Sequence, residues 1–223
     1  MTQPRIAFNE DLKMVRDSLV VMTATASEAI QAATTALLDQ NPEAARRTAA
    51  LEQNLEDDWL AIERRTFQLL ARQQPVAGDL RILVSAIKIG ADCRRMGALA
   101  HHIGTVAARA HPAPAIPVQL SGIFRRMGDI ASRIADGAGV TLRTSDAYDA
   151  GRLEVDDDAM DGLRRTLFRA LVHDWPHGVE KAVNVALLGR YYERFADHAV
   201  TIAQSVVFIV TGAKANDGPY PVG

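Results

Sequence analysis

Glu193 and Asp197 lie four residues apart in the stretch Arg190-Tyr-Tyr-Glu-Arg-Phe-Ala-Asp-His-Ala199. On a helix that spacing stacks two carboxylates on one face. Like charges so placed destabilise a helix by about 0.2–0.5 kcal/mol, and compensation has three sources: a metal ion, a nearby arginine, or water. Two other acidic pairs share the spacing, Glu52 with Glu56 and Asp157 with Asp161. Four carboxylates from two adjacent helices suit a hard or borderline cation, which prefers oxygen ligands. The plain alternative is solvation: acidic residues four apart on a helix commonly just face water, and Asp156-Asp157-Asp158 also reads as a solvated acidic run.

The elements that must carry these pairs are long helices. From Asp11 to Asp39 apolar residues recur at helical spacing (Leu12, Val15, Leu19, Met22, Ala26, Ala29, Ala33, Leu37). Asn41-Pro42-Glu43 supplies an N-cap, a first-turn proline and an acidic first turn, and a second helix runs from Ala44 to Arg72. Gln74-Pro75 breaks it, and a third spans Asp79 to about Arg109. Ala110 to Pro117 holds three prolines in eight residues and forms a stiff linker. Three more helices follow, at about Val118–Leu142, Ala147–Val172 and Gly178–Val210. Gly151 and Gly162 weaken the fifth, Trp175-Pro176 ends it, and Gly212 is placed to cap the sixth. Strand-type alternation is absent. The expected fold is all-α: a first three-helix bundle over 1–110, a linker over 111–117, a second bundle over 118–212 and a mobile tail over 213–223.

The two halves read as an internal duplication. A shift of 99 positions, set by Gly90 on Gly189, also pairs Arg95 with Arg194, Ala100 with Ala199 and Ile103 with Ile202. The second and fifth helices then correspond, as do the third and sixth. A fourth acidic pair belongs at 94 and 98, where the chain has Arg94 and Ala98. The same packing brings Arg94 near Glu52 and Glu56, and an arginine can pair with a carboxylate through two hydrogen bonds. The first bundle thus reads as a degenerate metal site closed by a salt bridge. In the second, Asp157, Asp161, Glu193 and Asp197 are the candidate ligands for divalent or iron-type ions. Ferritin-like bundles use a similar layout but add Glu-x-x-His, which this chain lacks, so ferroxidase-type chemistry is not expected. His198 adjoins Asp197, but sequence neighbours on a helix point about 100° apart. It is a candidate ligand or supporting group, not an automatic fifth ligand.

Composition removes other classes. The chain has 223 residues and a formal net charge of -2, so it can bury a full core and presents no global field toward nucleic acid. Its five Arg-Arg doublets are dispersed and form no DNA-binding stripe. Cys93 is the single cysteine, which rules out a disulfide within the chain and suits a reducing cytoplasm. It reads as a small helix residue and not as a nucleophile. No phosphate-binding glycine loop, G-x-S-x-G elbow or Cys-x-x-Cys is present. The apolar run Ile202–Val210 is about nine residues, against the roughly 20 a membrane helix needs. A cytosolic chain without an integral membrane segment is the expectation.

Four stretches resemble the PhoU family of accessory regulators of phosphate-specific transport: Gln74-Pro-Val-Ala-Gly-Asp-Leu-Arg81, Ile87-Lys-Ile-Gly-Ala-Asp-Cys-Arg-Arg-Met-Gly97, Asp157-Asp-Ala-Met-Asp161, and Tyr192-Glu-Arg-Phe-Ala-Asp-His-Ala-Val-Thr-Ile-Ala203 with Val210-Thr-Gly212 after it. The resemblance implies two tandem three-helix bundles with pseudo-twofold symmetry, and acidic-x-x-x-Asp motifs able to bind clusters of metal ions. Those motifs match at Asp157/Asp161 and Glu193/Asp197. At Glu52/Glu56 the final residue is Glu, and Arg94/Ala98 do not match. It further implies a non-enzymatic, homodimeric protein that damps phosphate import and phosphate-starvation signalling. The implied partners are the transporter ATPase and a phosphate-sensing histidine kinase, met in the cytoplasm or at the inner face of the membrane. Two other readings stay open: a metal-free helical adaptor, and a metal-dependent hydrolase built on the carboxylate cluster.

Overall fold

The computed structural model describes residues 3–72, 75–145, 147–173 and 175–212. The expected tail over 213–223, and Gln74 in the break after the second helix, lie outside the described residues. Among the described residues there are six α-helices and no strand: α1 (Gln3–Asp39), α2 (Pro42–Arg72), α3 (Ala77–Ala110), α4 (Ser121–Thr144), α5 (Ala147–Val172) and α6 (Gly178–Thr211). A 3-10 turn at Val118–Leu120 leads into α4.

Local chemistry sets the breaks. Asn41 Oδ1 accepts hydrogen bonds from the Glu43 and Ala44 amides, both at 3.0 Å, which satisfies two of the free N–H groups at the start of α2. Gly212 takes φ 77° and donates its amide to the Phe208 carbonyl at 2.9 Å, so the sixth helix ends in a left-handed glycine cap. Helix α5 is continuous despite its glycines; a Cβ at Gly162 would meet nothing within 4 Å, so that residue weakens propensity without creating a packing defect.

Helix α1 begins eight residues before the Asp11 start that periodicity suggested. Phe8 extends the apolar stripe by one turn and is 1% exposed. Arg5 holds the turn before it through a 2.7 Å salt bridge to Asp79 on α3. The proline-rich connection between the halves is packed too: Ala115 and Ile116 are buried, and Asn184 Nδ2 donates to the Ala115 carbonyl at 3.3 Å.

Helices α1, α2 and α3 pack on one another, as do α4, α5 and α6, and the two bundles meet through α1 on α4 and α3 on α6. Helices α2 and α5 flank this central layer and close one seam each, α2 against α3 and α5 against α6. The core runs through both bundles without a gap, from Leu19, Met22 and Ile30 through Ile89, Met96 and Ile103 to Phe124, Ile134, Phe195 and Ile202.

Polar groups fix the register of the central layer. Ser27 and Ser132 hydrogen-bond across α1 and α4 at 2.9 Å, with Gln31 Nε2 donating to Ser132 Oγ at 2.7 Å. Thr34 on α1 meets the buried Tyr192 hydroxyl on α6 at 2.8 Å. Close approach of α1 and α4 depends on Gly128, where an added Cβ would stand 2.4 Å from Thr34 Oγ1. Gly128→Ala is expected to cost about 1–3 kcal/mol by overpacking. Thr34→Ala alone is expected to cost a similar amount, about 1–3 kcal/mol, by leaving the Tyr192 hydroxyl unpartnered. Because the two changes share one contact, the double variant should lose less than the sum, as read from urea unfolding.

Candidate metal site and its arginine counter-ions

The α5–α6 seam gathers the four acidic residues of the second bundle. Met160, Leu163 and Leu167 bury one face of α5, while Leu188, Tyr192, Phe195 and Ala196 bury one face of α6. Asp157 and Asp161 flank the α5 stripe, and Glu193 and Asp197 flank that of α6. Partial burial raises the Asp157 carboxyl pKa first, and Asp197 across the seam raises it next, followed by Asp161, Asp158 and Glu193. The Asp197 pKa is also raised, by desolvation and then by Glu193, while Arg190 and His198 pull it down. The four carboxylates therefore act on one another across two helices.

Glu193 is the deepest of them, its side chain 10% exposed. It is already bound to cations. Arg164 Nε on α5 lies 3.1 Å from Glu193 Oε1, and Arg190 Nη1, one turn back on α6, donates a short hydrogen bond to Oε2. Arg164 Nε also lies 3.8 Å from Asp161 Oδ1. Among the described residues no three His, Cys, Asp or Glu side chains are grouped to hold a metal ion. Carboxylate oxygens are the donor type a hard cation prefers, but those of Glu193 are taken by guanidinium groups. Asp157 and Asp197 carry the part of the charge that the arginines leave unbalanced.

The first bundle solves the same problem with the charges exchanged. Arg94 on α3 donates from Nη1 to both Glu56 oxygens, at 3.3 and 3.4 Å, and its guanidinium lies 4.4 Å over the Trp59 ring. Glu52 faces His101 instead, at 3.8 Å, and His101 Nδ1 meets Thr48 Oγ1 at 3.3 Å. Ala98 offers no ligand. Aligning Glu52/Glu56 with Asp157/Asp161 sets Trp59 opposite Arg164, and the shift of 99 sets Arg94 opposite Glu193. Each seam thus holds one arginine–glutamate bridge between its helices, but the arginine comes from α3 in one bundle and from α5 in the other.

His198 points away from the acidic cluster. Its Nδ1 lies 3.0 Å from Asp92 Oδ1 across the α3–α6 interface, with side-chain exposures of 14% and 12%. It joins the two bundles, and the 100° offset from Asp197 is the reason. Burial, then Asp92, pushes the Cys93 thiol pKa up, so this cysteine is a core residue. Sequence reading missed Arg164, Arg190, His101 and Asp92 as members of these networks. The spacing signal existed for two of them: Arg164 is three residues after Asp161, and Arg190 three before Glu193.

A helical double bundle with acidic-x-x-x-acidic pairs along both seams defines a duplicated, all-α fold. The PhoU domain family matches residues 19–107 and again 124–206. The chain is 42% identical over 210 residues to a phosphate-specific transport system accessory protein, PhoU homolog 2, of Mycobacterium tuberculosis, covering 94% of this chain and 99% of that one. It is 41% identical over 218 residues to PhoU homolog 1 of Mycobacterium leprae, covering 97% and 98%. The crystal structure of PhoU from Pseudomonas aeruginosa superposes with a TM-score of 0.84 at 26% identity, covering 92% of this chain and all of that one. The chain belongs to the PhoU family, and its PhoU domain occurs twice.

The electrostatics give a signed prediction. Because the Asp157 pKa is raised in the fold, its ionisation penalises the folded state. That penalty is absent below the ordinary carboxyl value of 3.8, grows as the pH rises through the raised folded value, and is constant above it. In metal-free buffer, Asp157→Asn is expected to stabilise the protein at pH 7 by about 0.2–0.5 kcal/mol for each like-charge contact relieved. The gain should shrink toward pH 4 in denaturant titrations run across that range.

Proposed function

We propose that this chain is a non-enzymatic regulator of phosphate homeostasis, restraining phosphate uptake and phosphate-starvation signalling by binding the transporter ATPase and a sensor histidine kinase. The observation that carries the reading is the likeness, in both halves and over nearly the whole length, to proteins named as phosphate-specific transport system accessory proteins. It acts in the cytoplasm, as a homodimer, and reaches the membrane through its partners. Among the described residues no helix is long and apolar enough to cross a membrane.

Exposed apolar side chains at equivalent places support action by binding. Leu80 and Val84 on α3 are 44% and 39% exposed, and Val179 and Val183, each 99 positions later on α6, are 80% and 50% exposed. Each pair is one helical turn apart on the outside of a bundle, the pattern of a helix face offered to another protein.

Divalent or iron-type ions belong to the same reading. Asp157, Asp161, Glu193 and Asp197 would hold them, and the charge supplied would neutralise the α5–α6 seam and tie its helices together. A metal-free adaptor is the second reading, favoured by the arginines on Glu193. Catalysis by the cluster has less support: a cleft of about 640 Å³ lies between α1 and α2, lined by Asp11, Asp58, Arg64 and Arg65, away from the α5–α6 carboxylates.

Deleting the gene is expected to raise phosphate-starvation gene expression in phosphate-rich medium. Complementation with the Val179→Asp/Val183→Asp double variant should restore it poorly while the purified variant unfolds within about 0.5 kcal/mol of wild type per site, as surface changes do. Unchanged expression on deletion contradicts the regulatory reading; full complementation by the variant contradicts the binding face.

A further inference from the structure

Helix α4 runs antiparallel to α1, with Ser132 beside Ser27, and its last turn arrives beside Arg16, whose Nη1 donates to Ser145 Oγ at 3.3 Å. Ser145 ends α4 there in a left-handed conformation (φ 55°) and donates its amide to the Thr141 carbonyl at 2.9 Å. Helix α1 continues from Arg16 back to Gln3, about 20 Å at 1.5 Å per residue. Among the described residues, α1, α3 and α6 therefore lose their fourth packing partner at this end, and a cavity of about 290 Å³ opens between them. Its wall is apolar, with Leu12 and Leu19 from α1, Ile82 from α3, Leu142 from α4, and Val206 and Ile209 from α6. Its mouth carries Lys13 and Arg16, both exposed. The one carboxylate in the lining, Asp79, is already bridged to Arg5 at 2.7 Å.

We propose that this cavity binds a medium-chain carboxylate, a single acyl chain of about eight to ten carbons whose anionic head meets Lys13 and Arg16. Size decides the tail. A volume of about 290 Å³ equals the share of about ten liquid waters at ~30 Å³ each, and a methylene group takes a similar space. That is the lower end of ligand-pocket sizes, too small for a two-chain lipid. Charge decides the head. Lys13 has no hydrogen bond or ion pair to any described residue, and Arg16 bonds only to the neutral Ser145 hydroxyl. Two cations without a counter-ion, at the mouth of an apolar wall, complement a carboxylate on an alkyl chain. A ligand so placed touches all four helices of the central layer, so it ties one bundle to the other. The site lies apart from the α5–α6 carboxylates and is independent of the regulatory reading.

The test is methyl NMR of the full chain, labelled at Ile, Leu and Val and titrated with decanoate and, separately, with decanol. Decanoate is expected to shift the methyl signals of Leu12, Leu19, Ile82, Leu142, Val206 and Ile209 saturably. It should leave those of Val179 and Val183, exposed elsewhere on α6, unmoved. Decanol, which keeps the chain and lacks the charge, should bind at least tenfold more weakly. Lys13→Gln/Arg16→Gln changes two exposed positions and should weaken decanoate at least tenfold while leaving decanol within about twofold. Ala86→Leu, which fills the cavity from its wall, should abolish binding of both. No shift at the cavity methyls, or equal shifts at Val179 and Val183, would overturn the proposal. So would equal affinity for decanol and decanoate, or wild-type affinity for decanoate in the double variant. If decanoate binds only after residues 213–223 are deleted, the chain's own tail is the occupant and the proposal is overturned.

Discussion

A carboxylate nine-tenths removed from water needs donors or a cation at contact distance to offset its lost hydration, because an unpartnered buried ion costs more than a marginally stable fold can absorb. Glu193 is such a group, and the arrangement of the α5–α6 seam follows from it. Arg164 must come from α5 and Arg190 from the preceding turn of α6 to satisfy its two oxygens. Across the seam, Asp197 adds to the burial that raises the Asp157 pKa. In the first bundle the same requirement is met from the other side: Glu56 is on α2, Arg94 on α3, and Trp59 backs the guanidinium. A duplicated fold has kept its charge balance while exchanging which helix carries which sign.

This exchange leaves the two seams of the duplicated fold unlike. The first seam is saturated by its own side chains, with His101 opposite Glu52 and Ala98 inert, and it behaves as structure. The second keeps four acidic groups, with Arg164 and Arg190 both on Glu193. The central layer joins the two halves. Asp92 and His198 meet across α3 and α6 next to both seams, and Thr34 and Tyr192 tie α1 to α6. A change in the α5–α6 seam therefore acts on a helix whose buried face is already bonded to the first bundle.

Much of the fold was legible in the sequence because helices of about 25 to 35 residues average out local ambiguity in their periodicity. Asn41-Pro42 and Gly212 act as a start and a stop through the hydrogen bonds their types predict. The beginning of α1 was misplaced because its first turns are held by contacts remote in sequence, Arg5 with Asp79 and Phe8 in the core. The acidic pairs were legible as residues sharing a face. Their partners were less so: spacing reports which side chains lie on one helix face, not the register between helices. The Arg164–Glu193 bridge needs the α5–α6 register, and Asp92–His198 needs the docking of one bundle on the other. Neither register is written in a single helix.

The central claim is that the buried Glu193 is held by arginines on both oxygens, as Glu56 is held by Arg94 in the first bundle. A crystal structure of the full chain grown in metal-free buffer tests it most directly. The account predicts Arg164 and Arg190 on the two oxygens of Glu193 and Arg94 on Glu56. Glu193 without either arginine, or Arg94 turned away from Glu56, would contradict it.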